Sequence, residues 1–163
     1  MENKQEKAIF AGGCFWGVED LMQKEEGVIS TSVGFTGGEK DNPTYEDVSA
    51  GGTGHIEAVE VIYNPEEVSY EKLAKLFFEI HDPTQVGGQG PDIGSQYESV
   101  IFYTDENQKE IAEKLIAILK EKGLNVATIL EKAGTFWLAE ESHQDYYIKS
   151  GKRPYCHIYT KRF

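Results

Sequence analysis

Apolar positions follow two different spacings along this chain. Short apolar or alternating runs predict strands at residues 8–11, 28–35, 56–63, 97–103 and 126–130. Apolar residues three or four positions apart predict helices after residue 14 and at residues 69–81, 105–123 and 139–149. Ser69 and Asp105 are suited to cap two of these helices. Residues 37–44, 51–55 and 85–94 are rich in glycine and polar side chains and are predicted to be loops.

The order of these elements predicts the fold class. Strands alternate with helices, and the sequence contains no internal repeat and no interdomain linker. The chain of 163 residues is long enough for a sizeable core. We therefore expect a single domain over residues 1–163 with an α+β fold. Its expected form is a two-layer α/β sandwich, a ferredoxin-like plait, with long loops and an irregular C-terminal tail.

The strand predicted at residues 56–63 carries a carboxyl group on an apolar face. Successive side chains of a strand point to opposite faces, so Glu57 shares one face with Val59, Val61 and Tyr63. If that face meets the core, burial raises the pKa of Glu57, and the protonated carboxyl can act as an acid near neutral pH. The alternative is that Glu57 lies at the strand end and meets water.

A cysteine lies between the first predicted strand and the first predicted helix. Gly12 and Gly13 precede Cys14, and Gly17 follows it by three residues. The first N–H groups of a helix stabilise negative charge, so a thiol at this position ionises more easily and the thiolate is a nucleophile. The alternative is a small buried cysteine in a glycine turn, and local sequence does not decide between the two.

Composition and charge narrow the classes of function. The net charge is −12, which repels the phosphate backbone of nucleic acids. No apolar run approaches the roughly 20 residues that span a bilayer, and the first residues lack the apolar core of a signal peptide. Two cysteines and four histidines show no metal-binding spacing. We expect a cytoplasmic monomer with no cofactor, no metal, no membrane and no nucleic acid.

Several short motifs, in order along the chain, together resemble one known family. They resemble the A-type peptide-methionine sulfoxide reductases, from the first motif to the cysteine at position 156. Each motif alone is a weak signal, but their shared order makes coincidence very improbable. The motifs are Gly13-Cys14-Phe15-Trp16-Gly17, Asn42-Pro43-Thr44-Tyr45, Gly54-His55-Ile56-Glu57-Ala58-Val59, Asp92-Ile93-Gly94-Ser95-Gln96-Tyr97 and His143-Gln144-Asp145-Tyr146-Tyr147.

The resemblance implies the chemistry of the reaction. Cys14 matches the family nucleophile, whose thiolate attacks the sulfoxide sulfur and becomes a sulfenic acid as methionine is released. Glu57 matches the acid that protonates the sulfoxide oxygen. Tyr45 and Tyr97 match phenols that hydrogen-bond that oxygen. The family name implies the S epimer of the sulfoxide, free or in oxidised proteins.

The resemblance also implies which residues bind the substrate. Phe15 and Trp16 match an aromatic pocket for the substrate's methyl group, which suits the soft contacts between sulfur and aromatic rings. Asp92 matches a polar position that binds the substrate backbone or a water. Without the resemblance, these residues would be interpreted as core aromatics and a loop aspartate. His55 and His143 are interpreted as structural hydrogen-bonding residues.

Cys156 matches a second family cysteine that resolves the sulfenic acid. The resemblance implies a disulfide between Cys14 and Cys156, which thioredoxin then reduces. The tail here is not rich in glycine, unlike that of some members. An alternative is therefore an ordered strand from Tyr155 to Tyr159 that buries Cys156 away from Cys14. Thioredoxin or a small thiol would then attack Cys14 directly.

Two other classes of function stay open from the residues alone. A thiol hydrolase or acyltransferase would use Cys14 with a histidine as base, but this chemistry has no role for Glu57 or the tyrosines. A non-catalytic module could bind methionine-containing peptides through Phe15 and Trp16, which leaves Cys14 without a role. The reductase is the interpretation that gives all of these residues a role.

Overall fold

The computed structural model describes residues 5–151, 157 and 159–163. Its strands and helices alternate for most of that length. The strands are β1 (Glu6–Gly12), β2 (Val28–Thr36), β3 (Ile56–Tyr63), β4 (Gly88–Gln89), β5 (Asp92–Ile93), β6 (Ser99–Tyr103), β7 (Ile129–Lys132) and β8 (Trp137–Leu138). The helices are α1 (Phe15–Gln23), α2 (Tyr45–Ala50), α3 (Tyr70–Glu79), α4 (Glu106–Glu121) and α5 (Tyr146–Ser150). The result is a mixed α/β architecture, as the alternating pattern predicts.

The main sheet is mostly antiparallel. Its strand order is β7-β6-β1-β3-β2-β8, and β4 pairs with β5 in a separate hairpin. Only the β6–β7 pair is parallel among the pairs of the described residues. In the order of the chain, α1 connects β1 to β2 and α3 lies between β3 and β6. The strands β1 and β3 thus occupy the centre of the sheet.

The main core lies on the sheet face that α1 and α3 cover. Val59, Val61 and Tyr63 on β3 are buried there with Phe15 of α1 and Phe77 of α3. Glu57 lies on the same face of β3, as the alternation predicts, and is 1% exposed. The alternative in which Glu57 meets water is therefore wrong.

The predicted helix caps are present. The Ser69 side chain accepts a hydrogen bond from the Lys72 N–H, and Asp105 accepts one from the Gln108 N–H. Each bond satisfies a donor that the first turn of a helix leaves unpaired. The Gln108 side chain accepts from Thr104, the residue before the cap.

The helix predicted at residues 139–149 is wrong. The segment instead forms a 3-10 turn (Glu141–His143) and the short α5, separated by Asp145 at φ 52°. A buried side chain of α1 binds the backbone of this segment, and a side chain of the segment binds the backbone of β2. The Glu19 carboxylate accepts the Asp145 N–H at 2.7 Å, and the Gln144 amide bonds both backbone groups of Val33. Apolar periodicity contains no information about such bonds.

Three other predictions differ in their boundaries. The strand predicted at 126–130 begins at Ile129, because the Ala127 N–H donates to the Pro83 carbonyl instead of to the sheet. The strand predicted at 97–103 begins at Ser99, after a 3-10 turn (Ser95–Tyr97). The loop predicted at 85–94 contains the β4–β5 hairpin, and α2 follows the loop at 37–44 without having been predicted.

The described end of the chain packs against the C-terminal end of α3. The Thr160 N–H donates to the Glu79 carbonyl at 2.7 Å, and Arg162 donates through Nε to the Phe78 carbonyl at 2.8 Å. Phe163 packs against Phe78 with ring centroids 6.3 Å apart. Among the described residues, no helix has both the length and the apolar character needed to cross a membrane.

Candidate functional site

Cys14 lies at the junction of β1 and α1, as the sequence predicts. It is the N-cap residue of α1, with a non-helical backbone at φ −53° and ψ 116°. The turn that precedes it needs Gly13, whose φ of +90° is disfavoured for residues with a side chain. The thiol is partly exposed and lies at the positive end of the helix dipole, where negative charge is stabilised.

Glu57 binds the same helix turn from the adjacent strand. Its Oε1 accepts a hydrogen bond from the Phe15 N–H at 3.3 Å, the first amide after Cys14. Burial is the main reason that the pKa of Glu57 is raised to about 8; the hydrogen bond from Phe15 lowers the pKa and the nearby charge of Asp92 raises it. At neutral pH this carboxyl is therefore mostly protonated.

The proton of Glu57 can be placed on one oxygen. Because Oε1 accepts the Phe15 N–H, it is the carbonyl oxygen of the neutral acid, and Oε2 carries the proton. Oε2 is buried, and among the described residues it has no hydrogen-bond partner. A buried O–H donor without an acceptor is costly, so the site is suited to an incoming oxygen atom.

Two tyrosines, Tyr45 and Tyr97, lie within electrostatic range of Cys14, Glu57 and Asp92. Burial raises the pKa of Tyr45, and the charges of Glu57, Cys14 and Asp92 raise it further. The pKa of Tyr97 is raised well above its usual range, first by burial and then by the charges of Glu57, Tyr45 and the same groups. Both phenols therefore keep their protons at neutral pH and can donate hydrogen bonds.

An aromatic cluster adjoins these groups. Trp16 stacks on Tyr146 at 3.8 Å between ring centroids, and it lies 6.0 Å from the nearly parallel ring of Tyr45. Phe15 is fully buried and contacts Tyr45 at 6.1 Å and Phe35 at 5.6 Å. Phe15 therefore belongs to the core as well as to the edge of the site, whereas Trp16 is partly exposed.

His143 connects Trp16 to Tyr45. Its Nδ1 accepts the indole N–H of Trp16 at 3.2 Å, and its ring stacks on Tyr45 at 4.3 Å. Burial lowers the pKa of His143, so the ring is neutral at neutral pH and carries its proton on Nε2. Nε2 lies 3.9 Å from Glu140. The structural interpretation of His143 is therefore correct, but its place inside the site was not predicted.

The β4–β5 hairpin packs against the cysteine loop. A Cβ at Gly13 would lie 2.5 Å from the Cβ of Gln89, so the hairpin approaches more closely than a side chain at position 13 allows. The Gln89 amide bonds the backbone of Asp82 at 2.6 and 2.8 Å, which fixes the hairpin. Asp92 pairs with Gln89 and is thereby held near Glu57.

A family model described as peptide methionine sulfoxide reductase matches residues 6–163. The chain belongs to this family. It is 49% identical over 150 residues to a peptide methionine sulfoxide reductase MsrA of Nautilia profundicola, covering 92% of this chain and 87% of the relative. A protein of the same name from Methanothermobacter thermautotrophicus is 50% identical over 154 residues, covering 93% and 91%.

Solved structures of reductases resemble this one over most of its length. Mxr1 from Saccharomyces cerevisiae in reduced form superimposes with a TM-score of 0.89 at 35% identity, covering 96% of this chain and 92% of that one. A methionine sulfoxide reductase A of Corynebacterium diphtheriae gives 0.82 at 38% identity, covering 92% and 77%. The family recognised from the sequence motifs is therefore confirmed, and with it the prediction of an oxidoreductase that reduces methionine sulfoxide.

The structure brings nearly all of the predicted site residues of this reductase together. Cys14, Phe15 and Trp16 follow one another at the start of α1, Glu57 binds the same turn, and the charge of Asp92 acts on Glu57. Cys156 lies outside the described residues. Within the described part of the chain, no cluster of three or more His, Cys, Asp or Glu side chains could hold a metal ion.

Sequence reasoning missed two residues that support the Trp16 side of this reductase site, Tyr146 and Glu19. Tyr146 stacks on Trp16, and Glu19 holds the backbone of Asp145 just before it. Glu19 is 1% exposed, and burial raises its pKa. The motif that contains His143 and Tyr146 was noticed in the sequence, but the motif gives no indication of which ring each residue contacts.

The raised pKa of Glu57 predicts how stability depends on pH. Between the ordinary pKa of 4.5 and about 8, the folded protein keeps a proton that the unfolded chain releases. Stability therefore falls as pH rises through this window, by about 1.4 kcal/mol for each pH unit at most. Glu57→Gln removes this titration. Between pH 5 and pH 8, the free energy of unfolding of the variant, measured with urea, should rise relative to that of the wild type by a few kcal/mol.

The exposed Glu110 on α4 provides a control for this experiment. Glu110→Gln removes a carboxylate of the same type from the surface, so its stability should follow that of the wild type across the same pH range. Parallel curves for Glu57→Gln and the wild type would contradict a buried, protonated Glu57.

Proposed function

We propose that the protein reduces methionine S-sulfoxide, free or within proteins, with Cys14 as nucleophile and Glu57 as acid. The single observation that supports this most directly is the geometry of Glu57. One oxygen of its carboxyl binds the helix turn next to Cys14, and the other is buried without a partner among the described residues. The oxygen of a bound sulfoxide is suited to accept a hydrogen bond from the proton on Glu57 Oε2.

The first step consumes a proton and forms one bond to sulfur. The Cys14 thiolate attacks the sulfoxide sulfur while Glu57 donates its proton to the sulfoxide oxygen. The sulfur–oxygen bond of the substrate and the transient sulfur–sulfur bond then break as the oxygen, with that one proton, moves to the Cys14 sulfur. The products are the Cys14 sulfenic acid, methionine and the Glu57 carboxylate. Sulfur of the substrate is reduced and sulfur of Cys14 is oxidised, so no external cofactor is needed in this step.

The other site residues are suited to bind the sulfoxide. Tyr45 and Tyr97 remain protonated, as their raised pKa values indicate, and both can donate hydrogen bonds to the sulfoxide oxygen. Trp16 and the buried edge of Phe15 provide an apolar wall for the methyl group. Asp92 binds the substrate backbone, directly or through water. His143 and Tyr146 hold the Trp16 ring in place.

Cys156 and thioredoxin complete the proposed cycle. The Cys156 thiol attacks the Cys14 sulfenic acid, which forms a disulfide and releases water. A dithiol then reduces the disulfide. Thioredoxin fits this role, since the relative Mxr1 has been solved in complex with Trx2, with a TM-score of 0.63 at 25% identity to this chain. A cytoplasmic location would suit the cycle, because the cytosol keeps thiols reduced.

We also propose that the chain is one catalytic domain with a ferredoxin-like plait at its centre. The strand order β6-β1-β3-β2, with α1 and α3 as the connecting helices, supports this topology. These strands are antiparallel throughout. In such a plait the two central strands place Cys14, after β1, beside Glu57, near the start of β3.

Replacement of the nucleophile tests the proposed function. Incubation with a methionine sulfoxide peptide and dithiothreitol should release methionine from the wild type, and Cys14→Ser should abolish it because a hydroxyl is far less nucleophilic than a thiolate. Mass spectrometry of the peptide gives the loss of the sulfoxide oxygen. Turnover that persists in this variant would contradict the mechanism, and peptide binding without any turnover in the wild type would favour a binding module.

Replacement of the acid tests the role of the buried proton. Glu57→Gln keeps the size and the neutral charge of the protonated side chain but cannot give up a proton. The rate of methionine formation at pH 7 should fall by about 100-fold or more, as general acids contribute 100- to 10,000-fold. Alkylation of Cys14 by iodoacetamide should stay close to the wild-type rate. An unchanged reduction rate would mean that another group supplies the proton.

Replacement of the second cysteine separates reduction from recycling. Cys156→Ser should form one equivalent of methionine per protein at the wild-type rate, because the first step does not use this thiol. Cycling with thioredoxin and its reductase should then stop or slow strongly. Full cycling in Cys156→Ser would show that thioredoxin attacks the oxidised Cys14 directly.

A further inference from the structure

His157 is buried against the loop that carries Cys14. Its Nε2 lies 2.7 Å from the carbonyl oxygen of Gly12, and the residue is 6% exposed. A carbonyl oxygen only accepts hydrogen bonds, so Nε2 carries the proton and donates it. Burial lowers the pKa of His157, which keeps the ring neutral with Nδ1 unprotonated. The mechanism proposed above has no role for this histidine.

The first turn of α1 provides the space for the imidazole ring. A Cβ at Gly17 would lie 2.2 Å from Nδ1 of His157, so no other residue type fits at position 17 while the ring is in place. Glycine within a helix costs about 1 kcal/mol relative to alanine. Gly17 has a negative φ and does not need glycine for its backbone. The close contact with His157 is therefore the structural reason for glycine at this position.

Tyr159 and Thr160 are bonded to α3. The Tyr159 hydroxyl donates to Glu79 Oε2 at 3.2 Å, and the Thr160 N–H donates to the Glu79 carbonyl at 2.7 Å. These bonds anchor the chain on α3, and the imidazole of His157 anchors it on both sides of Cys14, at Gly12 and Gly17. The tail therefore has a defined contact with the cysteine loop.

We propose that His157 is a positioning residue for disulfide formation, because it docks the tail on the Cys14 loop and so presents Cys156 to the Cys14 sulfenic acid. This inference rests on the proposed function, in which Cys156 resolves that acid. Cys156 lies outside the described residues, but it directly precedes His157 in the sequence, so the anchor acts on the neighbouring residue of the chain.

The benefit of this anchor is a higher local concentration of the Cys156 thiol. A group held near its target reacts faster than the same group on a free chain, and the gain grows as the allowed positions become fewer. The step itself is unchanged: a sulfur–sulfur bond forms, the sulfur–oxygen bond of Cys14 breaks, and water leaves. Loss of the anchor should slow this step alone, since the formation of methionine uses neither His157 nor Cys156.

A rapid-quench experiment on the full chain separates the two steps. One equivalent of methionine sulfoxide peptide is added to the reduced protein, and methionine and the disulfide are quantified over time. His157→Ala should release methionine at the wild-type rate but form the disulfide at least about tenfold more slowly, in line with lost effective concentration. Dimedone should trap the accumulated sulfenic acid. His157→Gln, whose amide can donate to Gly12, should recover part of the rate.

Gly17→Ala tests the same contact without changing the histidine. The added methyl occupies the space of Nδ1, so the ring should leave its site, whereas alanine favours the helix itself. Disulfide formation should slow as in His157→Ala. The double variant should be no slower than His157→Ala, because the methyl no longer meets a ring. Additive losses would contradict a shared contact, since independent sites add and coupled sites do not.

A buried glutamine of α4, which bonds to the other end of β1, provides a control for general destabilisation. Gln108 is 3% exposed and donates to the Lys7 carbonyl at 2.8 Å. Gln108→Ala should lower stability but leave the rate of disulfide formation unchanged. Equal disulfide rates in wild type, His157→Ala and Gly17→Ala would overturn the proposal. If the wild type releases no methionine, or forms no disulfide, the proposed function fails instead.

Discussion

The hydrogen bond from the Phe15 N–H to Glu57 is the contact on which the site depends. It joins the first turn of α1 to the central strand β3, and it places an acid beside the cysteine that precedes that turn. The bond satisfies one carboxyl oxygen and leaves the other buried. Burial on an otherwise apolar strand face raises the pKa of Glu57 to about 8. Glu57 therefore lowers the free energy of unfolding at pH values above its ordinary pKa. The same residue can protonate a substrate oxygen at neutral pH.

Close packing around Cys14 requires the absence of side chains at its neighbours. A Cβ at Gly12 would meet the rings of Phe77 and His81 at 3.0 and 3.2 Å, and one at Gly13 would meet Gln89. Each glycine thus lets a different part of the chain reach the cysteine loop. Phe77 of α3 packs on Gly12, and the β4–β5 hairpin packs on Gly13 and brings Asp92 near the cysteine loop. His157 packs on Gly17.

Sequence reasoning could find what depends on spacing and local chemistry. The alternation of β3 predicted that Glu57 shares the apolar face of that strand, and the strand–glycine–helix order predicted that Cys14 lies at the start of a helix. Neither pattern decided whether these two side chains are buried. Sequence reasoning failed at residues 139–149, where Glu19 and Gln144 hold the backbone in a turn and a left-handed residue. Those bonds join positions more than a hundred residues apart, which periodicity cannot detect. The stacking of His143 on Tyr45 is hidden from the sequence for the same reason.

In the proposed cycle, reduction and recycling both act on the turn between Gly12 and Gly17. Glu57 reaches this turn from β3 through the Phe15 amide, and His157 reaches it from the tail through the Gly12 carbonyl. The two bonds use different backbone groups, so both can be made at once. The recycling step that we propose therefore requires no movement of Glu57. In the proposed cycle, the α1 turn with Glu57 supports the attack on the sulfoxide, and His157 docks the end of the chain on the same turn without displacing that acid.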